Sequence, residues 1–188
     1  MENYKEFSYI CLMESIKPHD IIVLLKVLMK GESGWKYEQL EEELGFSKSV
    51  IYRSLSRCAK AKFISPNPFD YFFPSNLLEF LQHGIQYAFA VEPGRISKGI
   101  PTAHSAPVMN KQIIAQNDQY IWPDAKGSVR GQVIEPLDKR IAEIIKNDPE
   151  LYDMLALIDA IRVGKNREKE IACNLLKEKI QLHAVKYQ

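Results

Sequence analysis

Residues 46–64 carry five cations, Lys48, Arg53, Arg57, Lys60 and Lys62, and no carboxylate. Lysine and arginine donate to phosphate oxygens, and arginine also pairs with base edges in a DNA major groove. Ile51, Leu55 and Cys58 recur in the same stretch at i, i+4 and i+7, the spacing of one buried helical stripe. A helix over 47–62 is predicted, capped by Ser47. Off its stripe lie Lys48, Ser49, Tyr52, Arg53, Ser56, Arg57 and Lys60. With Ser47 these form the candidate DNA-binding site, Lys48, Ser49, Tyr52 and Arg53 nearest the bases and Arg57 and Lys60 on phosphates. The preceding segment holds Glu38, Glu41, Glu42 and Glu43, so of the two neighbours only 47–62 suits a polyanion.

Other arrangements do not complete a reactive set. Gly94 and Gly99 have the spacing of a phosphate-binding loop, but Ile100 and Pro101 follow where Lys and Ser or Thr would hold phosphate and magnesium. His104 finds no partner at a recognisable spacing in His19, His83 or His183. With no nucleophile, metal set or carboxylate pair at such a spacing, a non-enzyme without cofactor or metal is expected.

The elements that must hold the cationic helix are marked by proline and glycine. Pro18 starts a helix through Ile21, Ile22, Leu24, Leu25, Val27, Leu28 and Met29 that stops at Gly31. Tyr37, Leu40 and Leu44 predict a short second helix ending at Gly45, followed by Phe46 and Ser47 in a turn. Residues 63–74 predict a strand, a turn at Ser65, Pro66, Asn67 and Pro68, and a returning strand. On these residues the chain, over roughly 15–75, resembles a bacterial winged helix-turn-helix of the broad MarR-like kind. The resemblance implies that the second helix supports and the third reads DNA. It departs from such domains at Lys62, where they often carry glycine, and in a wing that offers Asp70 instead of arginine or lysine. The wing aromatics are therefore expected to pack on the domain or a partner.

Ser75 and Asn76 predict a linker helix ending near Gly84, residues 87–91 read as a strand, and residues 99–107 resist a regular assignment. Residues 119–134 read as a β-hairpin turning at 124–127. A helix is expected from Leu137 to Ile145. Asp148 and Pro149 then cap a helix with a Leu151, Leu155, Ile158 and Ile161 stripe to Gly164. A last helix bears Ile171, Leu175 and Leu182 beside Ala172, Leu176 and Ile180. These two broad apolar faces exceed what one hairpin covers, which points to a homodimer or to docking on the rest of the chain.

The expected fold is α+β, mainly α: a winged helix-turn-helix (1–75), a linker helix with a small β-containing middle module (76–135), and a C-terminal αα-hairpin (136–188). With 25 basic and 24 acidic residues the chain is near neutral, so attraction to a polyanion must be local. Cys11, Cys58 and Cys173 are odd in number and scattered, as expected of reduced, mostly buried thiols. No apolar run reaches the roughly 20 residues that span a bilayer, and a cytoplasmic protein without membrane contact is expected. The function read from these residues is a sequence-specific DNA-binding transcriptional regulator acting as a dimer on double-stranded DNA. The alternative is an adaptor or antitoxin-like protein whose middle module or hairpin binds another protein.

Overall fold

The computed structural model describes residues 15–31, 34–110 and 118–185. The fold is α+β and mainly helical, with one small three-stranded sheet. Helix α1 (Pro18–Lys30) is central because its apolar residues leave no solvent face: Ile21, Ile22, Val23, Leu24, Leu25, Val27 and Leu28 are all fully buried. Each such side chain contributes about 1.5–3 kcal/mol on leaving water. Helix α2 (Tyr37–Leu44) closes at Gly45, whose φ of 66° is the left-handed conformation that glycine adopts without strain. Helix α3 (Lys48–Lys60) buries Ile51, Leu55 and Cys58 against α1 and α2, as their spacing predicts.

Helix α3 ends in a Schellman arrangement. The Phe63 N–H donates to the Cys58 carbonyl at 3.0 Å and the Lys62 N–H to the Ala59 carbonyl at 3.0 Å. Lys62 takes φ 59°, so the backbone makes the left-handed turn without a glycine, and Asn76 Nδ2 holds the Lys62 carbonyl at 2.8 Å. The chain then runs out and back through one antiparallel bridge, Ile64 to Phe72. Ser65 Oγ ties its tip, bonded to the Asp70 carboxylate at 2.9 Å and accepting from the Asp70 and Tyr71 N–H groups at 3.1 Å each.

The middle of the chain departs from the sequence expectation. Gly84 does not end the linker helix. Helix α4 (Pro74–Glu79) continues through a π-helical turn (Phe80–Gly84) into α5 (Ile85–Ala88), keeping Leu77, Leu81 and Ile85 on one buried stripe. A Cβ there would lie 2.9 Å from the Phe80 ring, which rests on Phe63 and Phe89, so a side chain at 84 would displace that ring. Most of the strand expected over 87–91 is thus helix end and irregular chain, and the first strand is β1 (Ile96–Pro101).

A 3-10 turn (Ala103–Ser105) and a single turn α6 (Pro107–Asn110) follow. Strands β2 (Tyr120–Pro123) and β3 (Val129–Val133) form no hairpin. Both pair antiparallel with β1, and they pair parallel with each other, so the three close into a ring. The turn at 124–127 exists, the Gly127 N–H donating to the Asp124 carbonyl at 3.0 Å, but the chain then crosses β1. A Cβ on Gly127 would meet the Gly99 backbone at 2.3 Å, and one on Gly99 would meet the Trp122 carbonyl oxygen at 1.9 Å, so neither position has room for a side chain.

Of the helix expected over 137–145, α7 occupies only Ile141–Ile144. Helix α8 (Pro149–Val163) starts where expected, the Asp148 carboxylate accepting from the Leu151 N–H at 3.0 Å. It is buried from Met154 to Arg162 beneath α9 (Asn166–Ala184), the 3-10 turn, α5 and α1. Ala172, Leu176 and Ile180 of α9 are buried, Ile171 and Leu175 half-buried, and Leu182 is 67% exposed. The apolar faces that pointed to a second subunit are therefore largely covered within the chain. One apolar cluster runs from Ile21 to Ile180 through all three sequence segments.

At its centre Asp159 accepts from the Thr102 hydroxyl (3.0 Å), the Trp122 indole N–H and the Arg162 guanidinium (2.7 Å). Complete burial pushes this carboxyl above the ordinary range, and the three donors act in the opposite direction. Arg162 also donates to the Phe89 and Glu135 carbonyls. Cys58 is buried and Cys173 half-buried, both free, and Cys11 lies outside the described residues. Among the described residues no helix is long and apolar enough to cross a membrane.

Candidate nucleic-acid interface

The candidate site is built on α3, packed by its stripe against α1 and α2 with the opposite face outward. Ser47, Lys48, Ser49, Tyr52, Arg53 and Lys60 are exposed and Ser56 is half-buried. Ser47 stands at the N-cap, but its hydroxyl bonds Ser49 Oγ (3.1 Å) and caps no backbone amide. Ser56 Oγ donates back to the Tyr52 carbonyl at 2.8 Å, and Arg53 Nε to the Ser49 carbonyl at 3.2 Å. Both bonds stay within the helix, leaving the Arg53 Nη groups on the surface.

Arg57 is the correction. It is 9% exposed and turned inward. Its Nε donates to Asp20 Oδ2 at 2.7 Å and its Nη2 to Asp20 Oδ1 at 2.6 Å, a two-bond fork between α3 and α1. The Asp20 hydrogen bond holds the guanidinium above its ordinary value, outweighing burial. A side chain committed in this way offers nothing to phosphate, so seven of the eight candidate residues share the outer face. The sequence signal for the pair was Asp20 itself, the one acid in the core helix Pro18–Lys30.

Lys48 reaches across to α2, its Nζ donating to Glu38 Oε1 at 2.6 Å. That bond holds the ammonium above and the carboxyl below their ordinary values. Tyr37, Glu38, Lys48, Ser49, Tyr52 and Arg53 line an open cavity of about 580 Å³. In the sequence Tyr37 reads as a stripe residue and Glu38 as part of an acidic neighbour, and neither is a candidate site residue. The loop bridged by Ile64 and Phe72 presents no cation. Phe69 is buried against Tyr52, with ring centroids 5.8 Å apart, and Phe72 is buried, while Tyr71 and Phe73 stand 52% and 37% exposed.

The turn that delivers α3 is held by two side chains from outside it. Phe46 is buried, with the His19 ring 5.6 Å away and the Arg140 guanidinium 4.0 Å over its centroid. Arg140 Nη1 donates to the Gly45 carbonyl at 2.7 Å, while its Nε and Nη2 bond the two Asp138 oxygens at 2.9 and 3.2 Å. Burial lowers the His19 pKa, outweighing neighbouring Asp20. Sequence reasoning missed Asp138 and Arg140 because they lie more than 90 residues from the turn they hold.

Among the described residues no group of three or more His, Cys, Asp or Glu side chains could hold a metal ion. His104 is buried, its Nε2 bonded to the Asp118 carbonyl at 2.8 Å. The chain matches no protein-family model, no curated protein and no solved structure.

Proposed function

We propose that this protein is a sequence-specific DNA-binding regulator of winged helix-turn-helix type that lays α3 in the major groove. The observation that carries the reading is the outer face of α3, where Lys48, Ser49, Tyr52, Arg53 and Lys60 are exposed on a helix with no carboxylate. Arg53 has the reach and geometry for a guanine edge. Lys60 serves the phosphates, and Lys48, near the bases, leaves Glu38 for a base-edge acceptor on binding. Arg57 has no part in contact.

The test is selection from randomised duplex DNA at several salt concentrations, with wild type and Arg53→Ala in parallel. An enriched motif that loses one position in the variant, with a loss of about 1–3 kcal/mol, is the expected result. Binding that is weak, salt-sensitive and without a motif would overturn it. A motif in two half-sites about 34 Å apart would make the bound form a dimer, and a single half-site would leave one chain per site. A second reading, a protein-binding adaptor, is favoured by the exposed Tyr71 and Phe73 on a wing without cations.

A further inference from the structure

We infer that Arg140 is a positioning residue for base reading: it fixes the turn between α2 and α3 and so sets the angle at which α3 meets the groove, without touching DNA. The inference rests on the DNA reading proposed above and adds a determinant from outside the three-helix unit. One guanidinium makes three kinds of contact at once. It donates to the Gly45 carbonyl (2.7 Å), sits over the Phe46 ring (4.0 Å), and is locked by the Asp138 carboxylate, which also accepts from the Arg140 backbone N–H at 2.9 Å.

These contacts fall on the residues that start α3. Gly45 is in the left-handed conformation, Phe46 is buried, and the Ser47 carbonyl accepts the first α3 hydrogen bonds, from the Val50 (2.9 Å) and Ile51 (3.0 Å) N–H groups. A planar, forked donor is needed to stack and bond in two directions, and an ammonium does not replace it. The segment carrying Arg140 is anchored in turn, since Arg162 bonds the Glu135 carbonyl at 3.2 Å.

The experiment uses the full chain as wild type, Arg140→Ala and Arg140→Lys. Affinity is measured for the selected site and for random duplex over a salt series, and backbone amide exchange is measured without DNA. In both variants the ratio of specific to random-duplex affinity should fall about tenfold. Random-duplex affinity and its salt slope should be unchanged, and exchange should quicken at Val50 and Ile51 but not in α8. A global loss of stability would instead speed exchange everywhere and overturn the assignment. So would an Arg140→Lys variant with wild-type base preference beside an Arg140→Ala variant whose salt slope drops by about one, the signature of a phosphate contact. If wild type itself shows no base preference, the DNA reading fails and the exchange arm decides the clamp alone: quickening confined to the turn supports it, and none overturns it.

Discussion

At the scale of single residues, a cation's sequence position on a helix says little about whether its charge is available. Arg53 and Arg57 are four apart on α3, yet Arg53 faces solvent and Arg57 forks onto Asp20. Their substitutions should separate cleanly. Arg57→Ala leaves Asp20, which is fully buried, with the Lys17 N–H (2.8 Å) and His19 (3.4 Å) as its carboxylate's partners among the described residues. Removing one partner of a buried pair costs about 3–5 kcal/mol, so the urea midpoint should fall steeply. Lys60→Ala, at an exposed position, should change stability by no more than about 0.5 kcal/mol. An Arg57→Ala protein with wild-type stability and weakened DNA binding would return Arg57 to the phosphate-contact role.

At the scale of elements, the local punctuation of the chain carried much of the reading. The ends of α1 and α2 follow Pro18, Gly31 and Gly45, and the α3 stripe lies where Ile51, Leu55 and Cys58 put it. Glycine misled where its reason is a packing contact. Gly84 makes room for the Phe80 ring, Gly127 lies against the Gly99 backbone and Gly99 against the Trp122 carbonyl, none of which the turn-and-stop reading of glycine reveals. Likewise Arg57 and Arg140 take their roles from partners 37 and 95 residues away. Lys62 shows the converse, a left-handed residue without glycine, kept there by the Schellman bonds and Asn76. A side chain in that conformation costs about 1–2 kcal/mol, partly offset by the extra chain entropy that glycine loses on folding. Lys62→Gly should therefore stabilise the protein by about 0.5–1 kcal/mol in urea denaturation, and Lys62→Val should destabilise it. A gain in stability from Lys62→Val would mean that the turn does not hold that conformation.

At the scale of the whole molecule, the three sequence segments share one apolar core. The apolar cluster is continuous from α1 to α9. Lys26 of α1 is ion-paired with Glu43 of α2 and with Asp148 at the start of α8, and Arg140 and Arg162 fasten the connecting chain at its two ends. The chain's two tryptophans sample opposite parts of this arrangement: Trp35 packs edge-on against Tyr37 at the start of α2, and Trp122 is buried in the strand ring on Asp159. In a Trp35→Phe variant the fluorescence reports Trp122 alone, while circular dichroism reports mostly the helices. The two urea transitions should coincide, because opening the ring uncovers α8, and α8 packs on α1. If dichroism fell in two steps, only one of them shared by Trp122, the three-helix unit would be unfolding by itself. Arg140 would then join two separable parts, and base preference would outlast the loss of the ring. A single transition ties the angle of α3 to the integrity of the whole chain, so that a substitution as remote as Asp159→Asn would reach DNA binding through stability alone.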